Sequence, residues 1–363
     1  MTFRDRIGRV ARHVEAVPVV GAPVARLMRR ALAGPRAARR RYRAWRAAAG
    51  TFHVTPPPRA ITAGPEPPVI ADPDRIVAGD GEAPPPPQAF DIELFEALNA
   101  EYADRPLVPE PMAYDHDSLA SRSLARMENI HRTIDLADRR VLEFGCGHGY
   151  EVWYLSHVFG SDAWGVDIVE RAPWAILADE RTRFVMADLS LEAPFEEASF
   201  DRIVSINVFE HVTRPIESLE ALYRVLRPGG LAWVSANLYR GPLASHRYRD
   251  VHFPWPHLLF GDAVFAEFSR RNGRPAEGAA WVNRLTWEQY EAEIRRIGFV
   301  IRRRRFRERP IDEAFYRRFE AELGRYPLAD LRRDFFEVIL ERPRPRRGLR
   351  APRLPGSGSA GAG

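Results

Sequence analysis

Apolar residues in this chain gather in short runs separated by stretches of helical spacing, and that alternation predicts the fold. The runs at 139–145 (RRVLEFG), 162–168 (DAWGVDI), 182–189 (TRFVMADL), 200–208 (FDRIVSINV) and 231–237 (LAWVSAN) have the length of buried strands. Helical patterns fill 150–159 (YEVWYLSHVF) and 214–226, the latter closed by RPGG. Strands spaced by helix-length segments imply βαβ units, hence a parallel sheet covered by helices on both faces, a doubly wound α/β domain. Farther on, Thr286 and Gln289 have the spacing of a capping box, and Gly298 stops the helix that they open. Strands are expected at 299–306 and 334–342, with a helix near 312–323 between them. No internal repeat is found.

The two ends differ from this body. Residues 1–50 carry 13 arginines against Asp5 and Glu15, with Phe3, Ile7, Val10 and Val14 at helical spacing, and a second helical run covers Val24–Trp45. Such a basic amphipathic arm can lie on an anionic membrane surface or pack on its own body or a partner. Residues 51–88 are rich in proline and poor in large apolar side chains, which makes them an extended linker. Residues 344–363 read as a disordered basic tail. The domain itself is expected at 89–343, with its core at 135–343 and a substrate-side insertion at 241–284.

Charge and cysteine narrow the choices. The net charge is +5, every one of the 54 basic residues is arginine, and the arm alone carries +11, which leaves about −6 on the rest. An acidic body does not offer a groove for nucleic acid. Cys146 is the one cysteine, so neither an internal disulfide nor a cysteine-based zinc site is expected, and no metal is called for. No apolar run reaches the ~18 residues of a membrane span and no signal-peptide core is present, so a cytoplasmic protein is expected, with any membrane contact peripheral and through the arm.

The candidate chemistry lies in VLEFGCGHGYE, residues 141–151. Gly145, Gly147 and Gly149 occupy the first βα turn, where ligands of open α/β sheets bind. The dinucleotide fingerprint requires a glycine at 150, which is Tyr150. Glu143, two residues ahead of the first glycine, would repel a pyrophosphate but suits a ligand with an amine and a positive sulfur. Asp167 ends the second strand about 20 residues on, where an acid meets ribose hydroxyls in this architecture. Asp188 and Asn207 end the third and fourth.

These segments, with GVDI, MADL, FDRIVSINVFEHV, LYRVLRPGGLAWVSAN and LTWEQYEAEIRRIGF, resemble the class I S-adenosylmethionine-dependent methyltransferases, in particular the methyltransferase type 11-like group. The resemblance covers roughly Asp135 to Pro343. It implies a seven-stranded sheet, mostly parallel with the last strand antiparallel, and S-adenosylmethionine as cofactor. Glu143, Gly145, Gly147 and Gly149, with Cys146 in the same loop, would line the methionine end. Asp167, followed by Ile168, would take the ribose, Asp188 and Leu189 would flank the adenine, and Asn207 would sit under the sulfonium.

Methyl transfer needs the nucleophile, the methyl carbon and sulfur in line, and a hydroxyl acceptor gains from a base. His211, His246 and His252 are the candidates, with His257 nearby in the same histidine-rich insertion. The fourth strand ends SINVFEH rather than in N-P-P-[YF], and Cys146 belongs to the cofactor loop, which disfavours nucleobase acceptors. A small molecule, a sugar or glycan, or a lipid-linked intermediate remains. The rival readings are a non-catalytic scaffold on the same fold and a nicotinamide-dependent oxidoreductase.

Overall fold

The computed structural model describes residues 57–59, 90–110, 113–279 and 282–345. The arm at 1–50 and nearly all of the linker and tail lie outside the described residues.

Seven strands form one sheet in the order β3-β2-β1-β4-β5-β7-β6. They are β1 (Arg140–Phe144), β2 (Asp162–Asp167), β3 (Thr182–Met186), β4 (Phe200–Ile206), β5 (Leu226–Asn237), β6 (Val300–Glu308) and β7 (Arg333–Glu341). The first five are mutually parallel, and β7 runs antiparallel to both β5 and β6. The chain winds outward from β1 to β3, then returns to β4 and winds the other way, so strand order reverses between β1 and β4. A crevice opens beyond the strand ends at that reversal.

Helices cover the sheet as the pattern predicts. They are α1 (Ile92–Glu101), α2 (His116–Ile134), α3 (Tyr150–His157), α4 (Trp174–Leu177), α5 (Pro215–Val225), α6 (Pro256–Leu259), α7 (Asp262–Arg271), α8 (Trp287–Ile297), α9 (Glu313–Arg318), α10 (Glu320–Leu323) and α11 (Leu328–Arg332). The strands bury Leu142, Val166, Ile203 and Val234 against Leu222 of α5 and Ile294 of α8 in one apolar core. The edge strand β6 is mostly arginine and exposed, and Arg302, Arg304 and Arg307 pair with Glu341, Glu291 and Glu337. Charge on an edge strand discourages pairing with another sheet.

The capping box is present, with the Thr286 side chain accepting from the Gln289 N–H and the Gln289 side chain accepting from the Thr286 N–H, and Gly298 closes α8 at φ 108°. Thr286→Ala is expected to lower stability by about 1 kcal/mol, read as a lower midpoint in urea unfolding.

Three expectations shift. The RPGG segment does not merely close α5; it belongs to an irregular start of β5, where Leu226 pairs with Phe200 and the register then jumps to Leu231 with Arg202. Backbone bonds from Gly229 to Arg342 and from Arg342 to Gly230 tie it to the end of β7. The helix near 312–323 is broken into α9 and α10 at Phe319, which leaves helical geometry and buries its ring. Helices α1 and α2, which the sequence reading leaves unassigned, are each capped by an aspartate, Asp91 and Asp115. The buried stripe Ala120, Ser123, Met127, Ile130 and Ile134 is the amphipathic face of α2.

The insertion after β5 has a core of its own. Val251, Phe253, Trp255 and Leu258–Phe260 pack with Phe95 of α1, Phe265 of α7 and Phe315 of α9. Phe95 meets the rings of Phe253, Phe260, Phe265 and Phe268 at centroid distances of 4.9–5.2 Å. Asp334 at the start of β7 anchors its base: the fully buried carboxylate accepts from the Leu243 N–H and pairs with Arg309.

Candidate functional site

The turn after β1 is held by backbone bonds before any side chain acts. The Gly145 and Cys146 N–H groups both donate to Val166 O, at 2.8 and 3.1 Å, and Gly149 donates back to Cys146 O as α3 begins. The Trp174 indole N–H of α4 donates to Gly147 O at 2.7 Å, and its ring stacks on Phe184 at 5.1 Å. The glycines answer two different needs. A Cβ on Gly145 would lie 2.3 Å from Val208 Cγ2, and one on Gly149 would lie 2.5 Å from Phe184 Cε1, so those two permit close packing. At Gly147 nothing lies within 4 Å of an added Cβ, so the backbone there faces open space.

A cavity of about 220 Å³ opens at the reversal of strand order. Gly145, Asp167, Ile168, Asp188 and Asn207 line it, together with His211. Phe144, Val166, Ile206 and Val208 supply apolar wall.

Each polar side chain is set by its backbone. Asp167 accepts the Gly147 N–H at 2.9 Å on one oxygen and the Val169 N–H at 3.3 Å on the other. Burial raises its pKa, against those N–H groups. Asp188 Oδ1 accepts both the N–H and the hydroxyl of Ser190, at 2.9 and 2.7 Å. Asn207 sits at φ 54°, and its side-chain oxygen accepts from Ser235. A non-glycine residue in the left-handed region costs about 1–3 kcal/mol and is kept where surroundings over-determine it.

The other expected cofactor residues stand behind the wall. Glu143 is fully buried and its Oε2 has no hydrogen-bond partner. Burial first, and the charge of Glu151 second, push its pKa well above the usual carboxylate range. Cys146 is also buried, with its thiol against Gly165, and burial pushes the thiol pKa well up, away from nucleophilic use. Leu189 belongs to the apolar core.

The structure separates the histidines. His211 ends a 3₁₀ turn (Phe209–His211) after β4, and its ring lies 4.8 Å from that of His246, edge to face. His246, at φ 54°, follows the anchored Leu243 at the base of the insertion. His252 lies with α1 instead, its N–H donating to Asn99 Oδ1 at 2.7 Å and its carbonyl accepting from Leu107. His257 is buried, with Nε2 2.6 Å from Tyr239 O. Burial lowers the pKa of His246 to about 3 and of His257 to about 4.

Sequence reasoning passed over Glu210, Asn283 and Tyr290. The 3₁₀ turn is clamped by the Asn283 N–H on Glu210 O at 2.8 Å, by the Asn283 amide on Phe209 and Val212 carbonyls, and by the Tyr290 hydroxyl on Phe209 O at 3.3 Å. Glu210 is 0% exposed and neither carboxylate oxygen has a hydrogen-bond partner. Burial raises its pKa to about 8, opposed by the Glu210 and Asn237 N–H groups, which do not reach hydrogen-bond geometry. The EH pair was visible in FEHV; that Glu210 points inward was not.

Comparison with known proteins decides the family. The family model of a methyltransferase domain matches residues 142–234. An uncharacterized methyltransferase of Mycobacterium avium is 30% identical over 174 residues, covering 46% of this chain and 66% of the relative. Residues 142–234 of this chain are a methyltransferase domain. A tRNA U34 carboxymethyltransferase of Idiomarina loihiensis is 33% identical over 135 residues, covering 33% of this chain and 41% of the relative. A solved S-adenosylmethionine-dependent methyltransferase from Mesorhizobium loti has a TM-score of 0.41 at 19% identity, covering 61% of this chain and 96% of its own. The chain spans about two-thirds or less of the curated relatives it matches.

The methyltransferase family implies S-adenosylmethionine, and the residues of this methyltransferase domain suit it. Glu143 offers a buried oxygen that lacks a donor, Gly147 offers bare backbone facing open space, and Asp167 and Asp188 line the cavity. Among the described residues, no helix is long and apolar enough to cross a membrane.

Proposed function

We propose that this chain binds S-adenosylmethionine in the cavity at the strand reversal and transfers its methyl group to a hydroxyl or amine of a small molecule, a sugar or glycan, or a lipid-linked intermediate. The observation that carries this reading is the buried, unpartnered Glu143 oxygen behind a glycine turn whose Gly147 backbone faces open space. When bound, S-adenosylmethionine would supply an electrophilic methyl group on a sulfonium, with a neutral thioether as the leaving group.

The chain's own part is binding and alignment. Glu143 would accept a hydrogen bond from the amine through the turn, Asp167 would hold the ribose hydroxyls while its bond from the Gly147 N–H keeps the turn in place, and Asp188 would take the adenine side. Cys146 and Gly149 shape the turn, Ile168 of the cavity wall would flank the ribose, and Leu189 would support the adenine side from the core. Asn207, in its left-handed backbone conformation in the cavity wall, would stand nearest the sulfonium. His211 and His246 mark the acceptor end, since His211 lines the cavity and His246 stands against it. His252, bonded through its backbone to α1 residues and Leu107, serves the packing of the insertion.

The acidic balance of the body supports an acceptor other than nucleic acid. We place the protein in the cytoplasm, with the arm at 1–50 as its route to any membrane surface.

Calorimetric titration with S-adenosylhomocysteine and with NADH tests the cofactor assignment. S-adenosylhomocysteine is expected to bind and NADH not. Asp167→Ala should weaken the former about 5- to 30-fold, the ~1–2 kcal/mol of lost hydrogen bonds. Tighter NADH binding would overturn the reading in favour of an oxidoreductase, and no binding of either would favour a scaffold. Transfer of label from methyl-labelled S-adenosylmethionine into cell extracts then identifies the acceptor.

A further inference from the structure

Two segments far apart in sequence bring three metal-ligating side chains together beside the cavity. The 3₁₀ turn after β4 contributes Glu210 and His211, and the base of the insertion after β5 contributes His246. One ligand atom from each lies within 4.8 Å of the others. The ligands of one transition-metal ion at ~2.0–2.2 Å stand roughly 3–4 Å apart, so small side-chain rotations bring the three into range.

We propose that Glu210, His211 and His246 form a binding site for a first-row divalent cation of the zinc or ferrous-iron class, set at the acceptor end of the cavity. The assignment rests on the reading of that end as the place where the methyl acceptor binds.

Four observations support the site. Glu210 is 0% exposed with both oxygens unpartnered, which leaves a buried carboxyl without a donor next to two imidazoles. Both arms are braced independently of any ion: Asn283 and Tyr290 clamp the turn, and Asp334 and Arg309 pin the insertion three residues before His246. His246 adopts left-handed backbone geometry at φ 54°, a conformation that its surroundings must impose. His211 belongs both to the triad and to the cavity wall, so an ion held there borders the cavity.

Donor chemistry narrows the ion. Two imidazoles and one carboxylate suit zinc or iron, whereas magnesium and calcium favour oxygen donors. Three protein ligands leave coordination positions open, as catalytic sites do. An acceptor hydroxyl in an open position would be acidified, releasing its proton to solvent water, and would be oriented toward the methyl group. In this arrangement His211 and His246 act as ligands rather than as proton acceptors.

The test uses the full-length, untagged protein after chelation and dialysis, titrated with Co²⁺ and followed by visible absorption, then challenged with Zn²⁺. S-adenosylhomocysteine binding is measured in parallel on the wild type and on Glu210→Gln and His246→Ala. Expected results are one saturable Co²⁺ per chain with a ligand-field band, displacement by Zn²⁺, and at least about a hundredfold weaker Co²⁺ binding in each variant with S-adenosylhomocysteine affinity retained. Absence of saturable Co²⁺ binding in the wild type would overturn the site. So would variants that bind Co²⁺ as the wild type does while still binding S-adenosylhomocysteine. The wild-type titration decides even where a variant does not fold. Saturable Co²⁺ binding lost in the variants, with no S-adenosylhomocysteine binding in the wild type, would support the cation site and overturn the cofactor assignment instead.

Discussion

Gly145→Ala is expected to reduce S-adenosylhomocysteine affinity by at least about thirtyfold while the chain still folds. Gly145 stands at φ 75°, where a side chain costs roughly 1–2 kcal/mol. An added Cβ would also meet Val208 at 2.3 Å from Cγ2 and 2.5 Å from Cγ1, and overpacking of this kind costs about 1–3 kcal/mol. The far end of a flexible side chain could swing away, but Val208 is β-branched and sits in the cavity wall directly after the strained Asn207. Relief therefore comes from moving the turn or that wall, and either displaces groups that face the ligand. Isothermal calorimetry measures the loss, and Val208→Ala added to Gly145→Ala should recover part of it by removing the two clashing methyl groups. Gly147→Ala provides the contrast: its Cβ meets nothing within 4 Å of protein, so its effect on the unliganded fold is limited to backbone strain at φ 48°. Unaltered affinity in Gly145→Ala would show that the turn does not shape the ligand site.

The second large effect is a trade of stability against binding at Glu143. Burial is the main cause of its raised pKa, so ionising this carboxylate in the free protein is unfavourable. The sign follows from linkage. A carboxyl group whose folded pKa lies above its unfolded value contributes stability that is complete below the unfolded pKa and is lost as pH rises toward the folded one. Glu143→Gln removes that loss. The melting temperature of the variant relative to wild type is expected to increase as pH rises from 4.5 in the absence of ligand, because an ordinary glutamate in the unfolded chain ionises around 4.5 and the window opens there. Binding should move the opposite way: a hydrogen bond to a charged group contributes about 1.5–3 kcal/mol, so the variant should bind S-adenosylhomocysteine roughly 10- to 150-fold more weakly. Thermal melts across pH and calorimetry at pH 7.5 check both halves. A variant of unchanged affinity would remove Glu143 from the ligand site, and a stability difference independent of pH would show that the carboxyl does not titrate in the free fold.

How much was legible in the sequence varied with the range of the interaction responsible. Strand β1 and its glycine turn are contiguous, so VLEFGCGHG displays both the buried run and the residues without side chains. Asp167, Asp188 and Asn207 could be named because a parallel sheet delivers successive strand ends to the same edge, and strand ends are local features. The cap at Thr286 is local in the same way. By contrast, the insertion's aromatic residues showed that something packs there but not against what, since Phe95 and Phe315 come from helices on either side of it in sequence. The histidines were visible as a group and indistinguishable from one another. His252 and His246 lie six residues apart, yet one turns to α1 and the other to His211.

The amino-acid sequence alone determined the α/β alternation, the glycine turn, and the acidic residues that close the strands, because hydrophobic period and chain-neighbour geometry act over a few residues. Only the tertiary structure decided that Glu210 is buried without a partner, that His246 joins His211, and that Asn283 and Asp334 hold their two segments in place. Those facts depend on the sheet order, which sets β4 beside β5 and places β7 against β5, and on desolvation, which no single segment can produce by itself.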